Sequence, residues 1–193
     1  LIIGYNGLRP GDRVIFGDLD YDAMQNAMLF LKDRRGVEVT TFTMPEPATT
    51  ANILAAYEEV LKATPRARLL LVTHLCHRTG LVNPVKEIIA LARRHGVASI
   101  LDTAQAVGQL PVDLEDIGAD FAGFSLHKWI GAPLGTGAVY IRKSKLAEMD
   151  LCLACAKYAD DLKAAEPVLV PPRKMRDGSH PGSTIRLFHA RHP

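Results

Sequence analysis

Cysteine is scarce in this chain, three in 193 residues, which argues against a disulfide framework. Two of the three form Cys152-x-x-Cys155, but no second ligand pair stands at zinc-finger spacing, and His189 and His192 lie too far away to supply one. No metal is therefore expected. No apolar run approaches the roughly 20 residues of a membrane span, and no signal-peptide pattern opens the sequence, so a cytoplasmic protein without membrane contact is expected. The formal charge is only +2 at pH 7, which gives no reason to invoke nucleic acid. Internal repeats and low-complexity segments are absent.

What is present is an alternation of short apolar runs with amphipathic stretches, over a length that suits one sizeable core. The pattern predicts an α/β fold, a mostly parallel sheet with helices on both faces. Predicted strands are 13–17, 37–42, 68–73, 97–101, 119–124 and 136–141. One helix is expected to start at Asn83 and Pro84, with Val85, Ile88, Ile89 and Ala92 on one face and Gly96 as its stop. Thr50 precedes another, with Ile53, Leu54, Tyr57, Val60 and Leu61 on a core-facing stripe. After about Asp150 the periodicity weakens, and Pro167, Pro171, Pro172, Arg173, Lys174 and Arg176 suggest an extended basic connection.

Two motifs carry chemistry. Leu101-Asp102-Thr103-Ala104-Gln105 and Phe124-Ser125-Leu126-His127-Lys128-Trp129 each close an apolar run, so Asp102 and Ser125 are expected just past strand ends, where open α/β sheets place ligands. A lysine amine able to form an imine, a carboxylate able to face a ring nitrogen, and short polar donors for a phosphate are what pyridoxal phosphate requires. Lys128 would carry the coenzyme as an aldimine and move protons at a substrate's α-carbon. An ionised Asp102 would favour the protonated, electron-withdrawing ring. Ser125 and His127 are candidate phosphate donors, and Gln105, three residues beyond Asp102, can reach a ring oxygen from a turn. Taken singly these residues read otherwise: a lysine as a solvated charge, Asp102 as a turn cap, Ser125 and His127 as turn formers.

The ordered set resembles the class V aminotransferases, whose fold is the large domain of fold-type I pyridoxal phosphate enzymes. Thr73-His74-Leu75-Cys76-His77-Arg78-Thr79-Gly80, Asn83-Pro84, Asp102 to Gln105, Ser125 to Lys128 and Gly131 to Gly137 follow the family's order. Within the family the resemblance is to isopenicillin N epimerase-like proteins, with cysteine desulfurases and selenocysteine lyases as relatives. It implies Lys128 as the Schiff-base lysine, Asp102 as the ring-nitrogen partner, Gln105 as the ring-oxygen partner, and Ser125 with His127 at the phosphate. Tyr21, in Asp18-Leu19-Asp20-Tyr21, falls where relatives stack an aromatic or histidine on the coenzyme. His77 stands where desulfurase-like members place asparagine, a departure that argues against a desulfurase by analogy. Gly182-Ser183 matches a glycine-threonine step that reaches the partner subunit's phosphate in family dimers.

The resemblance covers roughly Gly11 to Leu146. Residues 1–150 are read as the coenzyme-binding large domain without its amino-terminal part, and 151–193 as a connection toward a small domain that is cut short. A fragment is therefore expected. The implied activity is epimerase- or aminotransferase-like on an amino acid or related amine, in a homodimer. Two alternatives stand beside it: a carbon-sulfur lyase or cysteine desulfurase-like enzyme, and a coenzyme-binding remnant without turnover.

Overall fold

The structure is a computed structural model that describes residues 1–149, 168–170 and 185–188. Five parallel strands form its centre: β1 (Arg13–Gly17), β2 (Glu38–Phe42), β3 (Ala67–Thr73), β4 (Ala98–Asp102) and β5 (Phe121–Ser125). Antiparallel to β5 runs β6 (Gly137–Ile141), and β7 (Val168–Val170) and β8 (Ile185–Phe188) complete the order β2-β1-β3-β4-β5-β6-β8-β7. Strands β3 and β4 are apolar and buried along most of their length because both sheet faces are covered. The expected fold class is what the chain adopts, and its Gly182-Ser183 and Cys152-x-x-Cys155 motifs lie outside the described residues.

Two hydrophobic layers flank the sheet. Helices α2 (Thr50–Ala63) and α3 (Val85–Arg94) bury Ile53, Tyr57, Ile88 and Ile89 against Ile15, Leu70, Val72 and Leu101 on one face. On the other, α1 (Asp22–Arg35) and the amino-terminal segment bury Met28, Leu31, Ile2 and Tyr5 against Val14, Phe16, Leu69, Ile100 and Phe121. A short α4 (Leu114–Ile117) precedes β5, its first turn capped by the Asp113 carboxylate, which accepts the Glu115 and Asp116 N–H groups.

The helix boundaries refine the sequence reading. Thr50 is the first helical residue of α2, and Thr49 caps it by accepting the Asn52 N–H. Pro84 occupies the N-cap of α3, while the Asn83 amide reaches back to donate to the Thr73 carbonyl at 2.7 Å. Gly96 takes the left-handed conformation that ends α3. The strand order turns back at β1 (β2-β1-β3), and a crevice lies there at the carboxyl ends of the parallel strands.

Candidate active site

That crevice holds a cavity of about 210 Å³. Six of the seven residues expected at the site line it, Tyr21, His77, Asp102, Gln105, Ser125 and Lys128, and His127 stands outside its wall. They arrive from four loops or strand ends, because parallel strands deliver their carboxyl termini to one edge. Asp102 and Ser125 are the last residues of β4 and β5, not the first residues beyond them. Thr73, Met24, Leu75 and Phe124 complete the wall around them.

Asp102 is the buried charge of the cavity. Its Oδ1 accepts the Ala104 N–H at 2.9 Å, and its Oδ2 makes no hydrogen bond among the described residues. Burial pushes its carboxyl above the usual range, while the Ala104 N–H and the charges of Lys128 and His77 pull the other way. A carboxylate so placed is held ready for a cation. The Lys128 Nζ lies 5.9 Å from the centre of the Tyr21 ring, within cation–π range.

The aromatic wall is a seam between two loops. Tyr21 and His77 meet edge to face, Arg78 pairs with Asp22, and the Cys76 thiol faces the Leu19 carbonyl at 3.6 Å. Three consecutive residues after β3 thus clasp the loop after β1. His74 is absent from the cavity wall: its N–H donates to the Asp102 carbonyl at 2.9 Å, and burial lowers its imidazole's affinity for a proton.

Trp129 makes a contact that no local spacing in the sequence encodes. Its indole N–H donates to Gln105 Oε1 at 3.0 Å, which fixes the amide's orientation and leaves its NH₂ as the free donor. His127 is held by its Nδ1, 2.9 Å from the Thr136 carbonyl, leaving Nε2 as its other hydrogen-bonding atom. With a carbonyl as partner, Nδ1 is the protonated nitrogen.

The family model described as Aminotransferase class-V matches residues 1–190. Isopenicillin N epimerase of Streptomyces clavuligerus is 34% identical over 174 residues, 90% of this chain and 42% of that protein. Cysteine desulfurase of Salmonella typhimurium is 35% identical over 147 residues, 76% of this chain and 35% of that protein. The chain therefore spans less than half the length of these curated relatives. Among solved structures, a C-DES variant with glycine covalently linked to the PLP cofactor matches with TM-score 0.68 at 25% identity, over 94% of this chain and 44% of that one. A cysteine desulfurase from Thermococcus onnurineus matches with TM-score 0.69 at 24% identity, over 79% and 37%, a likeness of fold.

Proposed function

Because the chain belongs to the class-V aminotransferase family, we propose that its cavity binds pyridoxal phosphate and serves an enzyme reaction on an amino acid or related amine. The observation that carries this reading is the meeting of Lys128 and Asp102 in one cavity, from motifs 26 positions apart in sequence (128 less 102). The donor set fits the coenzyme. A buried carboxylate with an oxygen free of hydrogen bonds suits a protonated ring nitrogen, the free Gln105 NH₂ suits a ring oxygen, and Tyr21, Leu75 and Phe124 offer apolar surface to a flat ring. Ser125 and His127 are the phosphate contacts of this reading.

When bound, pyridoxal phosphate supplies an electron-withdrawing ring that acidifies the substrate's α-carbon. Every other step falls to the chain's own groups. Lys128 Nζ would hold the coenzyme and would be the base that takes and returns the substrate's α-proton. Asp102 would favour the cationic ring by charge attraction in a poorly solvated place. Tyr21 and His77 would offer aromatic surface to it.

The reading is epimerase- or aminotransferase-like, with the carbon-sulfur lyase arm second. Of the three cysteines, Cys76 is 2% exposed and turned to the Leu19 carbonyl, and Cys152 and Cys155 lie outside the described residues. A thiol that accepts sulfur has to be reachable, which Cys76 is not. The reading also includes a homodimer, for which exposed Trp129, Ile130 and Leu134 beside Lys128 offer the nearest apolar surface.

The experiment is to add pyridoxal phosphate to the purified chain and follow its visible absorbance in wild type and Lys128→Ala, then reduce with borohydride and map the labelled peptide. A band lost in the variant and a reduced adduct on Lys128 support the reading. A folded wild-type protein without the band overturns it, because the chain would then lack a working coenzyme site.

A further inference from the structure

A second carboxyl group stands directly behind the cavity. Asp20 is 3% exposed; its Oδ2 accepts the Gly17 N–H at 2.8 Å, and its Oδ1 lies 2.5 Å from the Thr73 hydroxyl oxygen. Thr73 ends β3, lines the cavity, and is the register neighbour of Asp102 on β4. Thr73 thus hydrogen-bonds one buried carboxyl group, enclosed in the core, and is the strand neighbour of the residue that bears the other, which opens to the cavity. Asp20 also immediately precedes Tyr21 of the cavity wall.

We propose that Asp20 is a positioning residue of this site, whose charge, held against the Thr73 hydroxyl, acts on Asp102 and on the cation that Asp102 meets. The proposal rests on reading the cavity as a coenzyme site. Thr73 Oγ1 has one proton to place. With Asp20 ionised, that proton is committed to Asp20 Oδ1, and a second negative charge backs Asp102. With Asp20 protonated, its own O–H donates to Thr73 Oγ1, and the threonine proton is released from Asp20.

The surroundings decide which carboxyl keeps a proton. The titratable groups that face Asp20 are Asp102 from β4 and Tyr57 from α2, with the Cys76 thiol against the adjoining Leu19, and none is cationic. Asp102 instead has Lys128 and His77 beside it. Pairs whose environments diverge this way separate into an acid and an anion, so Asp102 carries the charge and Asp20 the proton. Burial holds the Asp20 carboxyl up to about 7, so its charge changes near neutral pH.

The test uses the full chain and two readouts. The first is the dissociation constant for pyridoxal phosphate, read from the visible band between pH 5.5 and 8.5 in wild type and Asp20→Asn. Asparagine imitates the neutral acid, so the variant is expected to bind as wild type does at the acid end and about three-fold or more weaker at the alkaline end. A merely structural role gives a constant ratio, and a constant ratio overturns the proposal. The second readout needs no coenzyme: carboxyl-carbon NMR of Asp20 in wild type and Asp102→Asn. Its titration midpoint is expected to fall when the neighbouring charge is removed, and an unchanged midpoint overturns the proposal even if Asp20→Asn does not fold. A coupled midpoint without any visible band would sink the coenzyme reading and leave the carboxyl coupling standing; a band with a flat ratio would do the reverse.

Discussion

The ring of Tyr21 meets the ring of His77 edge on, with centroids 5.0 Å apart and planes at 88°. The contact joins residues 56 positions apart (77 less 21), and the Arg78–Asp22 ion pair beside it ties the loop after β3 to the first residue of α1. An aromatic ring on a loop has many rotamers, and edge-to-face packing selects among them. The wall of the cavity is therefore set by contact between the loops after β1 and β3.

Removing the ion pair should loosen that wall without unfolding the protein. Both partners are substantially exposed, so the pair contributes little to stability. Arg78→Ala is expected to leave the melting temperature within about 2 °C of wild type while weakening pyridoxal phosphate binding about two- to five-fold. Titration of the visible band checks the second figure, and a double-mutant cycle with Asp22→Ala assigns it to the pair; additive effects would refute the clasp.

Trp129 is the second test of positioning. Phenylalanine keeps the aromatic bulk but cannot donate to Gln105 Oε1, so the amide regains its freedom to flip. A neutral hydrogen bond of about 1 kcal/mol corresponds to about five-fold weaker coenzyme binding in Trp129→Phe. Equal affinity of the two proteins would show that the indole does not orient the amide.

Gly108 is held to glycine by conformation and by space. Its φ is +89°, and an added Cβ would sit 3.0 Å from Trp129 Cβ and 3.1 Å from the Trp129 carbonyl carbon. Gly108→Ala should cost about 1 kcal/mol or more of stability through the backbone alone. It should also displace the segment that follows Lys128, so coenzyme binding is expected to fall further than in Trp129→Phe. Urea unfolding and the same band titration separate the two effects.

The strands and the grouping of the candidate residues were legible in the sequence for one physical reason. Buried parallel strands are continuous apolar runs, and residues that follow such runs reach one edge of the sheet, so Asp102 and Lys128 could be placed together without coordinates. Helix α1 was not legible. Met24, Ala27, Met28, Leu29, Phe30 and Leu31 spread apolar side chains around its circumference, and Leu29 and Phe30 remain 43% and 38% exposed, so no single stripe marks it. Side-chain partners from distant loops were equally hidden. The Asp20–Thr73 and Trp129–Gln105 bonds span 53 and 24 positions, and no local spacing encodes either. His127 shows the converse case, a residue in the right motif whose ring is engaged by a carbonyl outside the cavity wall.

The enclosed carboxyl also makes a prediction about stability without coenzyme. In the unfolded chain Asp20 ionises near its ordinary 3.8, and in the folded protein near about 7, burial being the largest cause and the Asp102 charge adding to it. Below the lower value both states hold the proton, and Asp20 contributes no pH dependence. Between the two values the unfolded chain has lost a proton that the folded protein still binds, so stability falls as pH rises. Above about 7 the whole penalty is present. Asp20→Asn cannot ionise and lacks this slope, whatever constant offset its altered hydrogen bonds introduce. Urea unfolding at pH values from 4 to 8 should therefore show the stability difference between variant and wild type moving steadily in the variant's favour up to about pH 7 and levelling beyond. Parallel curves would mean that Asp20 ionises alike in both states, and that the Thr73 and Gly17 hydrogen bonds, which favour the anion, offset its burial completely.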